Sequence, residues 1–353
     1  MVGGTAHTCA LFSIGRIKCW GLNDKGQLGL GHSNSVGDSS NEMGNNLPFL
    51  DLPAMAKDIS AGWKHTCALF EDGSVRCWGA NDYGQLGQEN TQTLGRSPSS
   101  VPSQIPRIKL GSWYFASKIF SNENYNCAIF TNGKAKCWGE GSNYQLGYGW
   151  NWNAIGDQAG DMGDNLPDLD LGFEPIQISM GKASVCALSA DSEMKCWGYN
   201  GGSTYNVIMA GYSWANLPDL NFSTTCNVVD ISTSWSSTCV LFDCGKIKCF
   251  GINDDGELGL GSVSWSAVPQ SFTNLGTGLV IQNVYVFPYH SCAVFTDNSV
   301  KCWGFNSDGQ LGLGDKVPRG KLLSDMGDNL PFVNLGYVSI VLVLETSFVE
   351  PLL

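Results

Sequence analysis

His65-Thr66-Cys67-Ala68-Leu69-Phe70, Glu71-Asp72-Gly73, Ser74-Val75-Arg76-Cys77-Trp78-Gly79 and, one residue further on, Asn81-Asp82-Tyr83-Gly84-Gln85-Leu86-Gly87 form the stretch that decides the fold. A glycine at the third position of a three-residue loop accepts the left-handed backbone that closes a β-hairpin. With Glu71-Asp72-Gly73 as that loop, Phe70 faces Ser74, Leu69 faces Val75, Ala68 faces Arg76 and Cys67 faces Cys77. If the closing pair is hydrogen-bonded, alternation along the ladder makes the cysteine pair a non-hydrogen-bonded one. Side chains come closest there, and a cross-strand disulfide fits.

The unit repeats. Cysteines stand ten positions apart as Cys9 and Cys19, Cys67 and Cys77, Cys127 and Cys137, Cys186 and Cys196, Cys239 and Cys249, and Cys292 and Cys302, and successive copies start 53 to 60 residues apart. Gly15, Gly73, Gly133, Ser192, Gly245 and Asn298 hold the loop position. A β-branched stretch such as Val229-Asp230-Ile231-Ser232 precedes each hairpin, and a Pro-marked stretch such as Leu47-Pro48-Phe49-Leu50 follows it, so each unit offers about four strands. One such sheet cannot bury both its faces. Units therefore stack face to face, and closing the stack leaves only short, protected edges. The expected fold is all-β: a β-propeller of four-stranded blades, one domain over 1–344, with 345–353 a tail matching no part of the repeat.

The pattern H-T-C-A-L-F, G, V-R-C-W-G and G-Q-L-G resembles the regulator of chromosome condensation (alpha-tubulin suppressor-like) repeat propellers over almost the whole chain. Phe250 departs from it, standing where Trp20, Trp78, Trp138, Trp197 and Trp303 stand, and acidic loops are inserted at 159–167 and 324–331. The resemblance implies seven blades, against six visible hairpins. Either Val338–Leu344 supplies the leading strand that the first copy lacks and closes a six-bladed ring, or one blade is missing. The first alternative is favoured.

Fourteen cysteines make seven pairs, the last being Cys226 with Cys244, the second of which sits at a hairpin tip. Disulfides persist chiefly outside the reducing cytosol, so the expected location is extracellular or cell-surface, with the cytoplasm as the alternative. The amino end carries no secretory signal, which runs against this placement. Zinc is disfavoured because each pair would need two further ligands and the chain has 4 histidines. A net charge of −12 opposes nucleic acid, and no apolar run is long enough to insert in a membrane.

No catalytic constellation or cofactor motif is visible. His7, His65 and His290 each stand two residues before a hairpin cysteine and read as polar groups satisfying loop backbone. The loop Met-Gly-(Asn/Asp)-Asn-Leu-Pro occurs at 43–48, 162–167 and 326–331. Asp157, Asp161, Asp164, Asp325 and Asp328 lie in or before two of its copies and offer oxygen ligands to calcium, although an ordinary turn explains the loop better. After the third-strand turns of the third, fourth and fifth copies stand Tyr148, Trp150 and Trp152, then Tyr212 and Trp214, then Trp265. Equivalent loops of neighbouring blades share one face of the ring, so these six aromatics are read as a partner-binding patch.

These readings favour a non-catalytic scaffold that presents the loops of a disulfide-stapled propeller to a protein or glycan. The alternatives are nucleotide exchange on a small GTPase, which the resemblance implies, and a structural unit of an extracellular assembly. Denatured without reductant, the purified protein is expected to show close to no free thiol. Fourteen thiols would return it to the cytosol. Replacing Cys67 alone should lower stability by about 2–4 kcal/mol in a denaturant titration.

Overall fold

The computed structural model describes residues 1–149, 153–199, 220, 222–235, 237–264, 266 and 271–335. Trp150, Trp152, Tyr212, Trp214, Trp265, the stretch Val338–Leu344 and residues 345–353 lie outside them. Six antiparallel sheets follow one another along the chain. The first holds β1 (Val2–Gly3), β2 (His7–Leu11) and β3 (Ile17–Gly21), and the second β4 (Ala56–Ala61), β5 (His65–Phe70) and β6 (Val75–Gly79). The third holds β7 (Ala116–Asn122), β8 (Tyr125–Phe130), β9 (Ala135–Glu140) and β10 (Ala154–Ile155), and the fourth β11 (Pro175–Met180), β12 (Ser184–Ser189) and β13 (Met194–Gly198). The fifth holds β14 (Val228–Ser234), β15 (Ser237–Phe242) and β16 (Ile247–Gly251), and the sixth β17 (Ile281–Val286), β18 (His290–Phe295) and β19 (Val300–Gly304). Strands of each sheet touch those of the next, from the first through to the sixth. Among the described residues no helix is long and apolar enough to cross a membrane.

The hairpin register is the expected one. The Phe70 N–H donates to the Ser74 carbonyl at 2.9 Å, and Cys67 faces Cys77 with Cα atoms 4.1 Å apart. All fourteen cysteines are joined, Cys226 to Cys244 included. The Pro-marked stretch expected to give the fourth strand forms none, Leu50 only donating its N–H to the Ile17 carbonyl; the outer pairing of the third strand is instead the two-residue β10 in the third sheet and single bridges, Gly79 to Leu94 for example, in four others. The physical reason is the glycine at or next to the end of each third strand. Gly79 has φ 112°, a left-handed backbone that turns the chain out of the ladder before a full strand can pair.

Adjacent sheets are joined by one recurring latch. The buried indole N–H of Trp78 donates to the Gln27 carbonyl in the preceding sheet's turn at 3.0 Å, as Trp138 does to Gln85, Trp197 to Gln145 and, at 2.9 Å, Trp303 to Glu257. Asn81 Oδ1 accepts the Leu86 N–H and Gln85 Oε1 accepts the Tyr83 N–H, so the polar residues of the turn hold its carbonyl ready to accept. The same carbonyls take Thr66 Oγ1, Asn126 Nδ2 and Ser291 Oγ. Thr66 Oγ1 in turn accepts from His7 Nε2, and Asn126 Oδ1 from His65 Nε2 at 2.8 Å. The histidines thus bond to the neighbouring sheet rather than to loop backbone, because their strand faces it. Gly62 makes room for this arrangement, since a Cβ there would lie 2.0 Å from the His65 ring.

Phe250 now has a reason. Between Gly198 and Leu220 the fourth copy contains no Gln-Leu-Gly turn, so a tryptophan at 250 would bury an N–H without that acceptor. Phe250 packs instead on Phe222, which stands edge-on to Phe242. Both Trp78→Phe and Phe250→Trp are expected to lower stability by about 1–2 kcal/mol in denaturant titration, the first by losing a bond and the second by stranding a donor.

Burial holds the His65 and His7 imidazoles down at about 4, the neighbouring His65 adding to the effect at His7, and holds the Glu257 carboxyl up at about 7. The histidines are neutral in the fold but take a proton in the unfolded chain below about pH 6.5, so stability falls as pH drops from there toward 4. Glu257 acts oppositely: it is protonated in the fold, and stability falls as pH rises from about 4.5 to 7. In pH-dependent thermal melts, His65→Gln should remove up to about 3 kcal/mol of the acid-side loss, and Glu257→Gln should flatten the loss on the neutral side.

Candidate binding face

The pairing of His65 with Gly79 sets the turn before β5 and the end of β6 at one end of the sheet, and the Glu71-Asp72-Gly73 tip at the other. Every sheet repeats this, so the inner turns and the loops leaving the third strands share one face. The expected patch residues all follow third strands in the sequence. Of them only Tyr148 is described. It is half-buried, and its hydroxyl accepts from the Cys137 N–H at 2.7 Å and donates to the Cys137 carbonyl at 2.8 Å, filling the outer edge of its own sheet. Burial pushes its phenol above the ordinary range.

The same face carries aromatics that the repeat pattern does not single out as a group. Trp235 (37 % exposed) meets Tyr289 (44 %) edge-on at 5.1 Å, and Tyr289 meets Phe305 at 6.0 Å. Phe287 stacks on His290 at 4.6 Å, and Lys182 Nζ lies 4.8 Å over the Trp235 ring. Trp235 opens the two-residue turn between β14 and β15 with φ 32°, a left-handed backbone uncommon for a bulky residue. Its carbonyl accepts the Lys182 N–H, which ties the turn to the fourth sheet. Trp63 is exposed on the second sheet, three sheets from Trp235, with its N–H on the Glu123 carbonyl. The sequence signal for this cluster was the aromatic three to five residues before the cysteine, at Trp63, Trp235, Phe287 and Tyr289. These stand in separate copies apart from Phe287 and Tyr289, and only the stacking of sheets brings Trp235 and Tyr289 together.

The five acids considered for calcium are spread over two loops at the 162–167 and 326–331 copies. Asp164 accepts from the Ser112 hydroxyl and N–H, bonds that hold its carboxyl below the usual range, and Asp328 accepts from the Thr277 N–H. Asp161 accepts from the Gly156 and Gln158 N–H groups, and Asp325 from Leu322. Asp157 Oδ1 is buried without a partner, and burial raises its carboxyl. A cation already serves these loops. Lys136 Nζ donates to the Leu110 and Gly163 carbonyls, and Lys301 Nζ to Leu275 and Gly327, both lysines being fully buried. Sequence reading missed these third-strand lysines because an alternating strand shows a lysine as an outward residue.

Comparison with known proteins agrees with this architecture. The family model "RCC1-like domain" matches residues 1–326. The chain is 26 % identical over 320 residues to the ultraviolet-B receptor UVR8 of Arabidopsis thaliana, covering 89 % of this chain and 66 % of that protein. It is 25 % identical over 319 residues to the human E3 ubiquitin-protein ligase HERC2, covering 89 % of this chain and 6 % of that one. The chain thus spans less than two thirds of the length of either relative. Human WBSCR16 shares the fold with TM-score 0.68 at 20 % identity, covering 90 % of this chain and 78 % of that one. Prp20p of Saccharomyces cerevisiae, whose structure was described with its binding to Gsp1p and histones, is similar at 20 % identity and TM-score 0.68, covering 91 % and 75 %. With the hairpin repeat, the latch and the family match over residues 1–326 in agreement, this chain belongs to the RCC1-like domain family.

Proposed function

We propose that this chain is a non-catalytic, protein-binding propeller that works outside the reducing cytosol and grips its partner through the aromatic face of sheets four to six. The observation that carries the reading is the cluster of exposed Trp235 and Tyr289 with half-buried Phe305, set on a scaffold whose cysteines are all paired. Protein partners anchor on exposed Trp and Tyr because such rings bring large apolar area at small entropic cost. The reading extends to Trp150, Trp152, Tyr212, Trp214 and Trp265, which follow third strands in the sequence. Rings of this kind also stack on sugars, so a glycan is the second ligand class to test. Regulation of a small GTPase is the competing reading, supported by the likeness to Prp20p.

Panels of extracellular protein ectodomains and of glycans, screened against the purified chain, test this. Any binder should weaken by about tenfold or more with Trp235→Ala plus Tyr289→Ala, and should be unaffected by Phe115→Ala at the opposite end. Equal binding by the face variant would refute the site. Accelerated release of nucleotide from a GDP-loaded small GTPase would replace the reading with exchange.

A further inference from the structure

The step from the first sheet to the second and the step from the fifth to the sixth are built alike. Thr66 Oγ1 and the Trp78 indole meet the Gln27 carbonyl at the one, and Ser291 Oγ and the Trp303 indole meet the Glu257 carbonyl at the other. Asn23 Oδ1 accepts the Leu28 N–H as Asn253 Oδ1 accepts the Leu258 N–H, both at 3.0 Å. The Ala80 N–H bonds the Lys64 carbonyl as the Phe305 N–H bonds the Tyr289 carbonyl, both at 2.9 Å. Asp254 therefore stands where Asp24 stands, and Tyr289 stands where Lys64 stands.

The side chains differ at one point. At the first step Lys64 Nζ reaches across the interface to Asp24 Oδ2 at 2.7 Å. Asp82, at the same place in the second sheet's turn, has Lys25 Nζ at 4.0 Å. At the step from the fifth sheet to the sixth the acid is kept and the lysine has become tyrosine. Asp254 is exposed and makes no ion pair among the described residues. Two lysines of this region are taken: Lys321 Nζ lies 3.1 Å from Asp255 Oδ1, and Lys182 Nζ lies over the Trp235 ring.

An exposed carboxylate without a cation is ordinary, and an exposed ion pair alone is worth little. The surroundings of this one are not ordinary. The tyrosine in the lysine's place is a member of the aromatic cluster, edge-on to Trp235 at 5.1 Å and 6.0 Å from Phe305, so the unpaired acid borders the exposed rings. Ring faces attract cations, that of tryptophan most strongly, and Trp235 already carries the Lys182 ammonium at 4.8 Å. A guanidinium answers both neighbours at once. It is planar and weakly hydrated, so it stacks on a ring while its parallel N–H groups fork onto a carboxylate; an ammonium has no plane to stack and holds its water more tightly.

We infer that Asp254 and the Trp235–Tyr289 rings seat an arginine side chain of the protein partner, Asp254 pairing with the guanidinium and Tyr289 stacking against it, where the first step uses the chain's own Lys64. This deepens the aromatic-face reading and rests on it. The test titrates N-acetyl-arginine methylamide into the full chain at low salt and follows the Trp235 indole N–H by NMR, the signal being assigned by its loss in Trp235→Phe. A saturable shift is expected, with the neutral N-acetyl-citrulline methylamide and the ammonium-bearing N-acetyl-lysine methylamide each about tenfold weaker. Asp254→Asn should weaken the arginine probe by about tenfold, leave the citrulline probe unchanged and keep the parent's melting temperature. No shift, equal affinity for the citrulline or lysine probe, or arginine binding that survives Asp254→Asn would each overturn the inference. A protein partner that is lost with Trp235→Ala plus Tyr289→Ala but binds Asp254→Asn as it binds the parent would overturn this inference and leave the aromatic face standing. A partner that none of these substitutions weakens would overturn both.

Discussion

An indole N–H donated to one backbone carbonyl of the preceding sheet's turn is the constraint on which the ring depends, because stacked sheets have no ladder between them and would otherwise slide. At the second step Trp78 reaches Gln27, and Thr66 and His7 complete a chain of donors converging on the same carbonyl. Buried in a low-dielectric interior, such a chain is worth more intact than its separate bonds suggest, and leaving one member unpaired is costly. The apolar cluster around the cysteines supplies the bulk of the burial. The latch supplies direction: it sets which carbonyl meets which ring, and so the angle at which each sheet meets the next.

The hairpin and its disulfide were legible because turn chemistry and cysteine spacing are both local, and Gly73 at φ 75° closes the loop as its sequence position requires. The latch was only half legible. Trp78 and the Gln85-Leu86-Gly87 turn are visible as repeated residues, but their bond runs between copies, 51 residues apart for Gln27 and Trp78, and no periodicity within a copy reports it. The candidate face was legible as a place, since loops leaving equivalent strands must share an end. Its composition was not. Trp235, Tyr289 and Phe305 belong to different copies or different elements, and a single tryptophan before a cysteine carries no sign of what it will touch.

The lysines of the third strands show how much a strand pattern hides. Lys136, Lys195, Lys248 and Lys301 each lie within the core with the ammonium on a backbone carbonyl of the connection from the preceding sheet, and aromatic faces lie over several of them, Tyr114 at 3.8 Å from Lys136. Burying a charge is tolerable only when its donors are used. Three donors on a flexible stem can gather carbonyls from a connection that has no strand partner of its own. Burial lowers the Lys136 and Lys301 ammonium groups, while Asp168 and Asp164, and Asp328, pull them back up. The acidic loops thus act first as counterions to a structural cation.

The fourth unit departs most from the rest, and its departures belong together. It has no Gln-Leu-Gly in its sequence after the third strand and carries there a stretch containing Tyr205, Tyr212 and Trp214. The motif whose carbonyl takes the indole N–H at the other steps is missing from this sequence, and phenylalanine stands at 250. Where the tryptophan latch is absent, Phe222, Phe242, Phe250 and Phe272 gather, while the one disulfide outside the hairpin register, Cys226–Cys244, ties the entry to β14 to the β15–β16 tip within the fifth unit. An apolar cluster holds without a fixed donor and acceptor, so it tolerates variation in the sequence of the loop. A binding loop that must change with its partner is best grafted at such a step, where the scaffold no longer needs the loop for its own cohesion. The aromatic face lies over sheets four to six, and among the described residues the step between the fourth and fifth is held by phenylalanines in place of the tryptophan latch.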